Sequence, residues 1–91
     1  IMQVVSKFFN IKVVDLLSSN RSKNVAYPRQ IAMYLCRTLI NMTFPQIGKD
    51  FGGKDHTTVI HACDKLTKEY MSDPSTKELI DDIKKSLSTK G

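Results

Sequence analysis

Apolar residues recur at helical spacing along almost the whole chain, and nowhere alternate with polar ones for long enough to build a sheet. Ile31, Leu35, Leu39 and Met42 follow at steps of four, four and three, a core stripe down one helix face. Val5, Phe8 and Phe9 mark a short helix from about Met2 to Phe9, and Val13, Leu16 and Leu17 a second. Leu79, Ile80, Ile83 and Leu87 mark a last helix, with Asp73 as its N-cap and Pro74 in its first turn. A chain of 91 residues can build one modest core but not two. The expectation is an all-α bundle of about six short helices, a single domain over residues 1–91.

Turn formers divide the helices. Ser18 to Ala26 (SSNRSKNVA) is polar and basic and reads as a loop, so that Pro28 falls in the first turn of the helix that follows. That helix should end near Asn41. Thr43 to Gln46 reads T-x-x-Q, a capping box that opens another short helix. Gly52-Gly53 stops it, because glycine accepts positive φ without steric cost. A longer helix then starts at Asp55 and runs to about Ser72. A capped short helix, a two-glycine turn and a longer helix make a helix-turn-helix over about residues 43–72.

Charge is unevenly spread. The net charge is +5 and the pI is about 9.4. No Asp or Glu lies between Leu16 and Lys49, where Arg21, Lys23, Arg29, Arg37 and Lys49 all fall. From Leu66 onward, Lys68, Lys77, Lys84, Lys85 and Lys90 balance Glu69, Asp73, Glu78, Asp81 and Asp82. A one-signed stretch of this kind suits a polyanionic partner, against the blander reading of an inert basic surface.

Other function classes find little support. No apolar run approaches the ~20 residues of a membrane span, and no basic-then-apolar leader opens the chain. Starting on Ile1 rather than Met, the chain reads as a piece of a longer protein. Cys36 and Cys63 lie in apolar helical patterns without C-x-x-C spacing, which makes them core residues in a reducing, cytoplasmic setting. Gly48 to Lys54 fits G-x-x-x-x-G-K, but Asp55 stands where a P-loop needs Ser or Thr, and no strand precedes it. His56 and His61 diverge on a helix and cannot converge on a metal ion with buried Cys63. No cofactor, metal, small-molecule substrate or enzymatic chemistry is expected.

At about 100° per residue, Val59, Cys63, Leu66 and Tyr70 share one side of the longer helix. Thr57, His61, Asp64 and Lys68 share the other, flanked by Lys54, Thr58 and Lys65. The outward N-terminal end gathers Lys54, Asp55, His56, Thr57 and Thr58, short hydrogen-bonding groups where a recognition helix touches bases. Asp can accept from cytosine N4, His can donate to a base edge or phosphate, and a Thr methyl can meet a thymine methyl. Simple helix capping accounts well for Asp55 and Thr58, but not for the other three.

The run IGKDFGGKDHTTVIHACDKL, Ile47 to Leu66, resembles the signature of the C-terminal DNA-binding domain of bacterial DnaA replication initiators. Its GG-[KR]-DHTTV-x-HA core is present without a gap, and the resemblance extends upstream through KVVDLLSSNRS and VAYPRQIAMYL. It covers roughly Val4 to Leu66 and fades beyond. It implies a Trp-repressor-like helical domain, nucleoid-associated and monomeric in isolation, that binds duplex DNA repeats called DnaA boxes to start chromosomal replication. By the same resemblance, Arg21 enters the minor groove while Asp55, His56 and Thr57 read the major groove. Phe44 and Pro45 approach thymine methyls, and Arg29, Gln30, Arg37, Lys54 and Thr58 hold phosphates. Lys23 joins Arg21 as a loop candidate, although on its own it reads as a solvated charge. The family's AAA+ ATPase lies in another domain, absent from this chain. Asp64 departs from the family, where a basic residue is frequent, and Asn20 and Tyr27 make the loop less basic than in some relatives. Two rival readings stand beside it: a transcriptional regulator with a similar helix-turn-helix and, more distantly, a protein-interaction module.

Overall fold

Local signals in the sequence set most of the helix boundaries. The structure, a computed structural model, describes residues 1–88, and among these there are six helices and no strand. They are α1 (Met2–Phe8), α2 (Val13–Leu17), α3 (Lys23–Leu39), α4 (Phe44–Asp50), α5 (His56–Ser72) and α6 (Pro74–Ser88). Lys90, counted above in the charge balance, lies outside the described residues. No helix among the described residues is long and apolar enough to cross a membrane.

Caps form where the sequence placed them. Thr43 Oγ1 accepts from Gln46 N at 3.3 Å, and Thr43 N donates to Gln46 Oε1 at 3.0 Å, a complete capping box. Asp55 Oδ1 accepts from Thr57 N and Asp73 Oδ1 from Ser75 N, both at 2.9 Å, so α5 and α6 each start on a carboxylate. Asn41, at φ 61°, makes the left-handed step after α3 that Asn tolerates better than most residues.

The start of α3 corrects the sequence reading. Ser18 to Ala26 is not a loop throughout: the helix begins at Lys23, and Pro28 lies inside it rather than in its first turn. Ser18 Oγ accepts from Asn20 N and Asn20 Oδ1 from Ser22 N, leaving Ser22 extended as the N-cap. The added turn buries Val25 one turn before Pro28, which is itself buried. Pro28 forgoes one backbone bond near the helix start. The apolar burial of Val25 and Pro28 outweighs that loss and the turn propensity of the polar residues.

Helix α5 is the centre of the bundle, packing on α3, α4 and α6, while α1 closes over α2, α3 and α6. Val59, Cys63 and Leu66 are buried, and Thr57, His61, Asp64 and Lys68 are exposed, so α5 faces the way its periodicity demands. Met33 and Tyr34 are core residues. Lys84 is more engaged than a simple solvated charge: it and Lys77 stand over the Tyr70 ring, while Tyr70 Oη donates to Asp81 at 2.7 Å.

Both cysteines are buried and free. Burial pushes the Cys63 thiol up to about 11, and the Cys36 thiol is also raised, chiefly by burial. A thiol raised in the fold contributes stability below its unfolded value and loses it as the pH climbs through the folded one. Stability should therefore drop between about pH 9 and pH 11. At pH 8 a disulfide reagent should modify the native protein at least ~100-fold more slowly than the urea-unfolded chain. Equal rates would place these thiols at the surface.

Candidate nucleic-acid interface

The turn between α4 and α5 is shaped by two close backbone approaches. Gly48 is buried, and a Cβ there would run into the carbonyl oxygen of Lys54, whose N–H donates to Gly48 O at 2.8 Å. Gly52, at φ +85°, leaves no room for a Cβ against the carbonyl oxygen of Leu17, at the end of α2. Gly53 also has positive φ, at 76°. The turn is thus seated on the C-terminus of α2, a contact across more than thirty positions of sequence.

Two cations fasten the same place. Lys54 Nζ donates to Leu17 O at 3.2 Å and to Phe51 O at 2.7 Å, tying the end of α2 to the end of α4. Arg29 donates from Nε to Leu16 O at 2.9 Å and from Nη2 to Asp15 O at 3.0 Å. Leu16 O and Leu17 O end a five-residue helix, where the backbone supplies no helical donor, so the two side chains supply one; Asp15 O also accepts from Ser18 N and Oγ. Burial lowers the Arg29 pKa, and burial together with the nearby Arg29 charge lowers that of Lys54. Arg29, expected as a surface cation, is instead a brace only 7% exposed. Of the two arginines expected to hold phosphates, Arg29 turns inward and Arg37 is half-buried.

A cleft of about 860 Å³ lies at this junction, beside the basic loop. Arg21 from the loop, Gln30 from α3, Lys54 from the turn, and Asp55, Thr58 and His61 at or near the start of α5 line it. Asp55, His56, Thr57 and Thr58 are all exposed. The backbone bond from Thr57 holds the Asp55 carboxyl below its usual range against the opposing effect of desolvation, and the Thr57 side chain and the neighbouring His56 lower it further. His56 Nδ1 lies 3.4 Å from Asp55 Oδ1. Capping therefore engages Asp55 fully enough to justify its presence, and still leaves it at the surface with three polar neighbours.

A second cluster forms at the start of α4. Arg37 is half-buried, donates from Nη1 to Met42 O at 2.9 Å, and stands 4.5 Å above the Phe44 ring. Phe44 packs partly into the core, and Pro45 beside it is exposed. Lys23 is exposed at the first position of α3, away from the lining of the cleft. The cleft thus unites Arg21, Arg29, Gln30, Lys54, Asp55 and Thr58 but not Lys23, Arg37, Phe44, Pro45, His56 or Thr57.

Sequence reading passed over two cleft residues, His61 and Lys65, as members of the outward face and its flank. Their signal was present: Thr58, His61 and Lys65 follow at steps of three and four, one stripe of hydrogen-bonding side chains down α5. What it lacked was the knowledge that α3 lies beside that stripe. Among the described residues, no cluster of three or more His, Cys, Asp or Glu could hold a metal ion.

Residues 1–66 match a family model described as the bacterial dnaA protein helix-turn-helix. Among solved structures, a DNA replication initiation factor is similar at 36% sequence identity and a TM-score of 0.86. The similarity covers 98% of this chain and 27% of that one, so the chain spans about a quarter of that protein's length.

Proposed function

Because the chain belongs to the bacterial DnaA helix-turn-helix family, we propose that it binds duplex DNA at origin repeats of the DnaA-box type, sequence-specifically and without chemistry. The start of α5 enters the major groove, and Arg21 reaches into the adjacent minor groove. One observation carries this reading: the polar start of α5 and the loop bearing Arg21 flank a single cleft, fastened to the same end of α2. Elements in neighbouring grooves must straddle one sugar-phosphate backbone, and a cleft between them gives that strand a path.

The roles divide by chemistry. Asp55, His56 and Thr57 read base edges, with the Thr57 methyl available to a thymine methyl. A narrow AT-rich minor groove attracts the Arg21 guanidinium through its enhanced negative potential. Phe44 and Pro45 offer apolar contact to thymine. Gln30, Arg37 and Thr58 hold phosphates, whereas Arg29 and Lys54 act mainly by keeping the loop and the turn in register. Phosphate contacts supply most of the affinity, and the protein so engaged is nucleoid-associated. The bound domain acts as a monomer. The ATPase of the family lies on a different domain.

The test is an anisotropy titration against DnaA-box and scrambled duplexes over a salt series. The box duplex should bind more tightly at every salt concentration, and equal affinities would refute the reading. Arg37→Met keeps the stem over Phe44 and removes the charge. It should weaken both duplexes and flatten the log K against log salt slope by about 0.9. An unchanged slope would strike Arg37 from the phosphate contacts.

A further inference from the structure

Lys65 and Gln30 meet across the α3–α5 seam in the same cleft. Lys65 Nζ donates to Gln30 Oε1 at 3.1 Å. An ammonium has donors only, so its partner must be the amide oxygen and never the amide nitrogen. That chemistry fixes which way the Gln30 amide faces: with the oxygen held by Lys65, the NH2 is left to bond elsewhere. Lys65 is itself restrained, 3.9 Å from Glu69 Oε2 and 5.8 Å from the centre of the Tyr27 ring. Glu69 offsets part of its charge, which weakens Lys65 as a direct point-charge ligand for phosphate.

We propose that Lys65 is a positioning residue for DNA binding: by holding Gln30 Oε1 it presents the Gln30 NH2 as a donor to a backbone phosphate lying in the cleft. The proposal rests on the reading above that this cleft receives the DNA backbone. Without Lys65 the Gln30 side chain is no longer held, so binding must both immobilise it and turn its carbonyl oxygen away from the anionic phosphate. Gln30 then becomes a poor contact although its side chain is intact. This is a coupling between two residues 35 positions apart, on different helices.

Anisotropy titrations of Lys65→Met, Gln30→Leu and the double variant test it as a cycle on the box duplex. Gln30→Leu should weaken binding about tenfold or more, the range of a hydrogen bond to a charged group, and Lys65→Met about three- to tenfold, the cost of immobilising the freed Gln30 side chain. The double variant should be no worse than the weaker single variant, within about twofold. Lys65→Arg, which can donate to the same oxygen, should bind within about twofold of the wild type. Gln30→Glu keeps the bond to Lys65 but places an acceptor-only group in the cleft, and should bind more weakly than Gln30→Leu. Additive losses would overturn the proposal in favour of an independent phosphate contact by Lys65, and wild-type affinity in Lys65→Met would overturn it outright. A phosphate contact does not depend on base sequence, so the cycle reads equally on a scrambled duplex. Failure of the box preference therefore stays distinguishable from failure of the coupling.

Discussion

Replacing Arg29 by methionine should cost the domain about 2–4 kcal/mol and lower its melting midpoint on the order of 10–25 °C. Methionine preserves the apolar stem and removes the guanidinium, which now donates to Leu16 O and Asp15 O, with a longer contact to Ser18 Oγ at 3.4 Å. Hydrogen bonds from a charged donor contribute about 1.5–3 kcal/mol each, and their loss strands the buried Leu16 carbonyl, while Asp15 O keeps its bonds from Ser18 N and Oγ. The release of a desolvated charge offsets part of the loss, which keeps the estimate below the simple sum. A domain of this size has on the order of 5–10 kcal/mol in total, so the effect is large. Arg37→Met is the control, since it gives up one carbonyl bond and one ring contact at a half-buried position and should cost about 1 kcal/mol. Thermal melts by circular dichroism at neutral pH compare the two. A melting midpoint for Arg29→Met no lower than that of Arg37→Met would mean that Arg29 does not brace α2.

The contrast between those two arginines shows what a sequence of this kind discloses. Helix α5 was legible because its information is local: Asp55 caps it, and the spacing of Val59, Cys63 and Leu66 decides which side is buried. The capping box at Thr43 and the turn at Gly52 were legible for the same reason. The inward turn of Arg29 was not, because its partners are the carbonyls of α2, thirteen and fourteen residues upstream, and no pattern in sequence records a carbonyl. Lys54 presented the same difficulty, with one acceptor 37 residues away. A basic residue in a basic stretch looks like a DNA ligand until the fold shows an orphaned helix end beside it. The start of α3 was misread for a related reason. Turn formers at Ser18 to Asn24 dominate locally, whereas the burial that favours an early helix is settled by Val25 and Pro28 against the rest of the bundle.

The candidate interface divides along the same line. Arg21, Asp55, His56 and Thr57 were recognisable from residue type, position and family likeness, and the fold leaves each of them at the surface. Lys65 and His61 needed the neighbouring helix before their position in the cleft meant anything. The residues that face outward were therefore read more readily than those whose surroundings depend on a neighbouring helix.

A protein carrying both Arg21→Ala and Thr57→Ala should lose most of its preference for a DnaA-box duplex over a scrambled one. Each base-reading contact is worth about 1–3 kcal/mol of discrimination, so the pair removes about 2–6 kcal/mol, roughly thirtyfold at the lower end. The two losses should add, because one side chain sits on the loop before α3 and the other in the first turn of α5, addressing different grooves. Their salt signatures should differ. Arg21→Ala removes a charge and should flatten the salt slope by up to about one unit, while Thr57→Ala removes none and should leave the slope alone. Neither change threatens the fold. Arg21 and Thr57 are exposed, alanine suits a helix, and the cap on α5 uses the backbone N–H of Thr57, which alanine retains. Unaltered melting curves would confirm that binding alone has changed. Thr57→Ala losing equally on both duplexes would remove it as a reader of bases, and Arg21→Ala leaving box affinity untouched would take the loop out of the minor groove.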